Sequence, residues 1–180
     1  MLNLCYNGEK EERRMDMNLK LAEIAREQAR RNFHGDTVAA IGNLQIFAEL
    51  FEMADGVTLE SLNNDWSGAF VYLCTELAGM GLPVRYPDPR VPASFASVVA
   101  WEAYARLPKT RLWHTSAELP EIGDLVILAY EEGKPPRMGI VLAVEDGMME
   151  LAMGNHHNHS AIVEQSIGEG VRGFVRLKDV

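Results

Sequence analysis

The stretch DWSGAFV at residues 65–71 decides the fold that we expect for this chain. An aromatic residue, a small polar residue and a glycine lead into an apolar run, a pattern typical of a helix that presents its first residues to a cleft. The predicted helix runs from Ser67 to about Ala78, because Gly79 and the sequence Gly-Leu-Pro at 81–83 stop it. Ser67 therefore lies at the start of this helix.

Helical spacing of apolar side chains predicts three further helices, over residues 18–33, 43–54 and 93–106. After Pro120 the pattern changes to short apolar runs that are separated by turn sequences such as Asp146-Gly147. Trp113 and His114 are assigned to the connection before these runs. The order predicts an α+β fold, with N-terminal helices packed on a C-terminal antiparallel β-sheet. The predicted strands cover residues 125–130, 138–144, 149–153, 161–165 and 173–177.

Length and charge limit the classes of protein that the chain can belong to. With 180 residues, 47% of them apolar, we expect one domain over residues 18–180, preceded by a charged segment at residues 1–17. A net charge of −9 argues against binding to nucleic acid or to an anionic membrane, since both require clustered basic side chains. The sequence gives no reason to expect a cofactor, and it leaves the oligomeric state open.

The N-terminal region and the two cysteines indicate the cellular compartment in which we expect the protein. Residues 1–20 lack the apolar core of a signal peptide, and no run approaches the ~18 apolar residues of a membrane span. We therefore expect a cytoplasmic protein, or one that is exported by a route that the sequence does not reveal. Cys5 and Cys74 are too few for a disulfide framework, so both are interpreted as free thiols, with Cys74 buried.

Short motifs in a fixed order carry a resemblance over nearly the whole chain. The chain resembles the CHAP family, the cysteine- and histidine-dependent amidohydrolases and peptidases, which share a papain-like fold with the NlpC-type cell-wall peptidases. The resemblance implies that fold for this chain and a site at the start of the Ser67 helix. The matching motifs are DWSGAFV at 65–71, Gly79-Met80, Trp101, PEIGDLV at 120–126, RMGIV at 137–141, Met153-Gly154-Asn155 and VRGFVR at 171–176.

The family's chemistry uses a cysteine at the helix start, a histidine on an adjacent strand and a polar residue that orients the imidazole. Carried over by motif, these positions are Ser67, Arg137 and Asn155, of which only the asparagine is kept. A serine hydroxyl needs a positioned base far more than a thiol does, and an arginine with a pKa above ~12 cannot supply one. A variant of an active enzyme in which the cysteine had been replaced by serine to trap a substrate would keep the histidine base. Loss of both groups therefore predicts an inactive homologue.

The resemblance then implies a binding or regulatory role, with a peptide or cell-wall fragment as the ligand. Arg137 could contact a carboxylate or phosphate on that ligand, or it could form an internal ion pair with Asp65, Glu121 or Asp124. Trp66 and Trp101 could wall the cleft and stack on a sugar or peptide ring, although large aromatics are core residues first. A structural subunit with a filled cleft is the alternative without a ligand.

A third alternative keeps the enzyme active. The segment Gly154 to His159 contains three histidines and follows a strand that should end near Ser67. One of the histidines of the 156–159 loop could then serve as a relocated base, making the chain a peptidoglycan amidase or endopeptidase. His156 and His157 could also contribute to binding. The same histidines could supply two metal ligands, but no third ligand is evident, so we expect no metal site.

Overall fold

The computed structural model describes residues 17–52, 54, 56–129 and 135–177. The described part of the chain contains five helices and a six-stranded antiparallel sheet, so the predicted α+β class is confirmed. The predicted N-terminal segment 1–17 lies outside the described residues except for its last residue, which begins the first helix. The helices are α1 (17–29), α2 (Gln45–Leu50), α3 (Leu59–Asn64), α4 (Ser67–Ala78) and α5 (Val98–Ala105).

The strands form a single sheet in the order β1-β6-β2-β3-β4-β5. Strands β2 to β5 are neighbours in sequence order, and β6 returns to pair with β2 on one side and β1 on the other. The hairpin interpretation of the Asp146-Gly147 turn is correct, because this turn joins β3 to β4. The strands are β1 (Trp113–Thr115), β2 (Leu125–Leu128), β3 (Arg137–Glu145), β4 (Met148–His156), β5 (His159–Ser166) and β6 (Val171–Val175).

Helix α4 is the central helix and has the bounds that the sequence predicted. Ten of its twelve residues are buried, because the sheet covers one side and other helices cover the rest. Gly79 ends it in the left-handed conformation (φ 87°), which a residue without a Cβ adopts without strain. Cys74 is buried within this helix, as predicted.

Glycines allow α4 to approach its neighbours closely. A Cβ on Gly154 of β4 would lie 2.4 Å from Cβ of Phe70 and 3.1 Å from Cε3 of Trp66. A Cβ on Gly68 would lie 2.6 Å from the carbonyl oxygen of Ala96, which precedes α5. Larger residues at either position would push α4 away from the sheet or from α5, so these glycines set the position of the Ser67 end of the helix.

Side chains of helix α1 bind both the sheet and helix α4. The Arg26 guanidinium forms a bidentate pair with the Glu150 carboxylate on β4, with nitrogen–oxygen distances of 3.0 and 2.7 Å. Nζ of Lys20 donates to the carbonyl oxygen of Ala78 at the end of α4 (2.8 Å), where a cation complements the helix dipole. None of the helices among the described residues is long and apolar enough to cross a membrane.

Two short elements were not predicted, and one assignment was wrong. Helix α3 is only six residues long, and it is started by a capping box in which Thr58 and Ser61 exchange hydrogen bonds. Trp113 and His114 do not lie in a connection, because they form the edge strand β1 opposite Val175 and Phe174. Three helices are shorter than predicted. The helix predicted over 18–33 ends at residue 29, the one predicted over 43–54 covers Gln45–Leu50, and the one predicted over 93–106 covers Val98–Ala105.

Candidate functional site

The start of α4 places Ser67 beside the carboxylate of Asp65. Oδ1 of Asp65 accepts hydrogen bonds from the backbone N–H of Ser67 (3.2 Å) and from its hydroxyl (3.0 Å). Asp65 is extended (φ −157°, ψ 111°), and the helix begins two residues later. A carboxylate in this position satisfies one free N–H of the first turn and is favoured by the helix dipole. Ser67 itself is fully buried.

Arg137, the first residue of β3, contacts the same carboxylate oxygen. Its Nη1 lies 3.1 Å from Oδ1 of Asp65, and the two side chains are 16% and 23% exposed. One oxygen of Asp65 therefore receives the Ser67 hydroxyl, the Ser67 amide and the guanidinium. This three-residue group, Ser67–Asp65–Arg137, is called the serine–aspartate–arginine network below.

Of the three carboxylates considered as partners for Arg137, the structure selects Asp65. The other two are held by Arg176, whose Nη2 lies 2.7 Å from Oδ2 of Asp124 and whose Nη1 lies 2.7 Å from Oε1 of Glu121. The hydrogen bonds that Arg176 donates to the Asp124 carboxylate are the main cause that raises the pKa of Arg176 above its ordinary value. This second group joins β6 to the turn before β2 and does not reach the serine–aspartate–arginine network through any hydrogen bond among the described residues.

Asn155, the third motif position of the sequence analysis, lies near the end of β4 and is hydrogen-bonded to the backbone that precedes Asp65. Its Nδ2 donates to the carbonyl oxygen of Asn64 at 3.4 Å, and Asn64 directly precedes Asp65. Asn155 is buried and adopts a left-handed conformation (φ 58°), which asparagine tolerates better than most residues. Its side chain thus orients the α3–α4 connection and makes no hydrogen bond to Ser67.

The histidines do not contact the serine. All five lie in the described part of the chain, and within it the Ser67 side chain has Asp65 as its hydrogen-bond partner and no imidazole. His156 is the last residue of β4, with its ring 4.4 Å from that of His157. Burial lowers the pKa of His156, and the neighbouring His157 lowers that pKa further.

The tryptophans expected to wall a cleft belong to the core, which corrects that expectation. Trp66 and Trp101 are both fully buried. Trp66 stacks on Phe47 with ring centroids 5.6 Å apart, and Nε1 of Trp101 donates to the carbonyl oxygen of Phe95 at 2.8 Å. Their ring faces are therefore occupied by protein, and neither indole is accessible to a sugar or peptide ring.

Sequence reasoning missed two residues that shape the site. Gly154 allows β4 to touch α4 directly below Ser67, and Asn64 supplies the carbonyl group that holds Asn155. The strand predicted over residues 149–153 ended one residue before Gly154, and a glycine directly after that strand was the available signal for a close backbone approach. Among the described residues, no group of three or more His, Cys, Asp and Glu side chains is arranged to hold a metal ion.

Comparison with known proteins adds no relative. No protein-family model matches the chain, and neither a curated protein nor a solved structure does so.

Proposed function

We propose that this chain is a catalytically inactive homologue of the CHAP type, with a papain-like fold, that keeps its site for binding a peptide or cell-wall fragment or for a regulatory role. The order of elements supports the proposal. Ser67 begins the buried central helix, Arg137 begins β3, and Asn155 is the second-last residue of β4. Helix α4 packs on β3 and β4, so all three motif positions lie at one end of the helix–sheet interface.

The observation that carries the proposal is the serine–aspartate–arginine network. In a cysteine hydrolase of this type, an imidazole next to the nucleophile would accept its proton. Here the Ser67 hydroxyl donates to Asp65, whose same oxygen also binds Arg137 at 3.1 Å. An aspartate carboxylate is in general a much weaker base than an imidazole, and a guanidinium holds its proton at all working pH values. The network thus gives the Ser67 hydroxyl an acceptor without creating a nucleophile.

Ligand recognition would use the partly exposed half of the network. Arg137 and Asp65 are 16% and 23% exposed, so water and small ligands reach them while Ser67 stays covered. A guanidinium can bind a carboxylate with two parallel hydrogen bonds, and the Arg137 side chain is partly exposed at the edge of the network. A peptide C-terminus or a stem-peptide carboxylate is the ligand class that fits this chemistry.

The complete burial of Ser67 favours a second candidate function, a structural subunit whose cleft is filled by its own side chains. In that case the ion pair between Asp65 and Arg137 only replaces the lost catalytic pair. The alternative of an active amidase with a relocated histidine has no supporting contact, since Ser67 bonds to Asp65.

Restoring the family's pair of residues tests the proposed ancestry. In a Cys5→Ser background, Ser67→Cys combined with Arg137→His should bring a thiol and an imidazole together and lower the pKa of the thiol. At pH 6 an ordinary cysteine with a pKa of about 8.5 is less than about 1% thiolate. We therefore expect the double replacement to be alkylated by iodoacetamide at least about tenfold faster at pH 6 than the matched control, Ser67→Cys alone. Because residue 67 is covered, the ultraviolet absorbance of the thiolate is measured as well, since it requires no access by the reagent. Equal rates together with equal thiolate absorbance in the two folded variants would refute the ancestry.

Binding is tested separately on the unaltered chain. A titration with a disaccharide tetrapeptide from peptidoglycan, followed by amide NMR, should shift the signals of residues 65–67 and 137, and Arg137→Gln should abolish the shifts. Reactive thiols without any ligand-induced shifts would favour the structural subunit. Release of new amino groups from peptidoglycan by the unaltered chain, abolished by Ser67→Ala, would instead establish the active amidase and overturn the proposal.

A further inference from the structure

The segment after α1 pairs with the start of β5 and places two histidines side by side. His34 and His159 form an antiparallel bridge. The flanking bonds run from the Ser160 amide to the Phe33 carbonyl (2.8 Å) and from the Gly35 amide to the Asn158 carbonyl (3.3 Å). This pattern makes the bridge a non-hydrogen-bonded pair, in which opposite side chains are closest and project from the same face.

The inner ring nitrogen of each histidine, Nδ1, already lies near an oxygen. Nδ1 of His34 lies 3.3 Å from the carbonyl oxygen of Gly35, and Nδ1 of His159 lies 3.4 Å from Oδ1 of Asn32. Both partners are acceptors, so in the neutral imidazoles both Nδ1 atoms carry the proton. The lone pair is then on Nε2 in both rings. This is the tautomer that metal-binding histidines adopt when a carbonyl oxygen orients them.

The separation of the rings fits a shared ion. Their centroids are 5.7 Å apart, and the ring planes are inclined by 39°. A zinc–nitrogen bond of about 2.0–2.1 Å puts the ion ~3.2 Å from each ring centre. For Nε2 atoms that both point at the ion, the observed separation corresponds to a nitrogen–metal–nitrogen angle of about 125°, and a change of about 0.5 Å in the separation brings it to the tetrahedral value.

We propose that His34 and His159 form a two-histidine site for a divalent transition-metal ion that imidazole favours, such as Zn²⁺, Ni²⁺ or Cu²⁺. The remaining coordination positions are open to water, because His159 is exposed and His34 is partly exposed. The ion joins the 32–43 segment to β5. The site is independent of the proposed binding function. It departs from the expectation of no metal site because it needs only two protein ligands, which lie 125 positions apart in the sequence, with water in the other coordination positions.

The bound ion would reinforce an existing polar junction. Asp36 follows the histidine in the same segment, and its Oδ2 accepts from Nδ2 of Asn63 on α3 at 3.1 Å. Nδ2 of Asn158 donates to the Asp36 carbonyl oxygen at 3.3 Å. Fixing His34 to His159 therefore also fixes the turn of the β4–β5 hairpin against the end of α3.

The test is a calorimetric titration of the tag-free full chain, in the Cys5→Ser background, with Zn²⁺ as the probe. We expect one ion per chain. His34→Gln and His159→Gln should each raise the Kd at least about tenfold. Loss of a residue that only orients a metal-binding histidine typically weakens metal affinity about 10–100-fold, and loss of the histidine itself should weaken it at least as much. The matched control His157→Gln, in the same hairpin, should change the Kd less than about twofold. An equal effect of the control variant, or no binding, would overturn the site.

A second measurement does not depend on the variants being folded. In the unaltered chain, substoichiometric Cu²⁺ should broaden the imidazole signals of His34 and His159, and ¹⁵N shifts on adding Zn²⁺ should move Nε2 of both rings. Broadening centred on His156 and His157, or ¹⁵N shifts at Nδ1, would refute the proposed ligands.

Discussion

Replacing Asp65 by alanine removes the centre of the serine–aspartate–arginine network and has three consequences. The free N–H at the start of α4 loses its acceptor, which costs about 1 kcal/mol. The ion pair with Arg137 is partly exposed and contributes at most about 1 kcal/mol. The fully buried Ser67 hydroxyl loses its acceptor, at a cost of about 1–3 kcal/mol. Asp65→Ala should therefore lower the free energy of unfolding by about 3 kcal/mol.

The Ser67 hydroxyl contributes in a way that a second variant can isolate. Ser67→Ala removes the donor together with its hydrogen bond and leaves Asp65 bound to Arg137 and to the backbone, so it should cost less than about 1 kcal/mol. In Asp65→Ala/Ser67→Ala no buried hydroxyl is left without an acceptor. The double variant should therefore be more stable than Asp65→Ala by about 1–2 kcal/mol, although it carries one more substitution.

Urea unfolding at pH 7, followed by both circular dichroism and tryptophan fluorescence, measures these differences. Trp66 adjoins the network and reports on it directly. A loss of less than about 1 kcal/mol for Asp65→Ala would show that the network is not maintained in solution. A further loss on adding Ser67→Ala would show that the hydroxyl finds another partner, and either result would refute the reasoning.

Two further predictions concern packing and pH. Gly154→Ala puts a Cβ 2.4 Å from Cβ of Phe70 and should lower the free energy of unfolding by about 3 kcal/mol or more. The control Gly147→Ala lies in an open turn with φ 78° and should lower it by only about 1–2 kcal/mol. Equal urea midpoints for the two variants would contradict the close approach of α4 and β4. Hydrogen bonds from Arg90 hold the pKa of the Asp88 carboxyl far below its ordinary value. The stability that the Asp88 carboxylate adds to the folded state is therefore fully present above about pH 4 and is lost as the pH falls further. The stability difference between the unaltered chain and Asp88→Asn should therefore be constant from about pH 5 to 7 and shrink below about pH 4, and a difference that grows on acidification would disprove this assignment.

Local patterns were sufficient for the elements that depend on local interactions. The bounds of α4 follow from Ser67 at its start and Gly79 at its end, and the β3–β4 hairpin follows from the turn at Asp146-Gly147. Helix α3 was missed because six residues give no helical period, although the pairing of Thr58 and Ser61 was present in the sequence. Strand β1 was missed because a segment of three residues forms a strand only when it can pair with the edge of a sheet, which here is β6.

The sequence by itself determined that Ser67 and Arg137 cannot form a nucleophile–base pair, since that conclusion depends only on the chemistry of the two side chains. Only the tertiary structure decided which carboxylate Arg137 contacts, because Asp65, Glu121 and Asp124 were equivalent candidates in the sequence. The fold brings Asp65 to Arg137 across 72 positions and gives the other two to Arg176. The strength of an ion pair depends on distance and burial in three dimensions, and packing sets both.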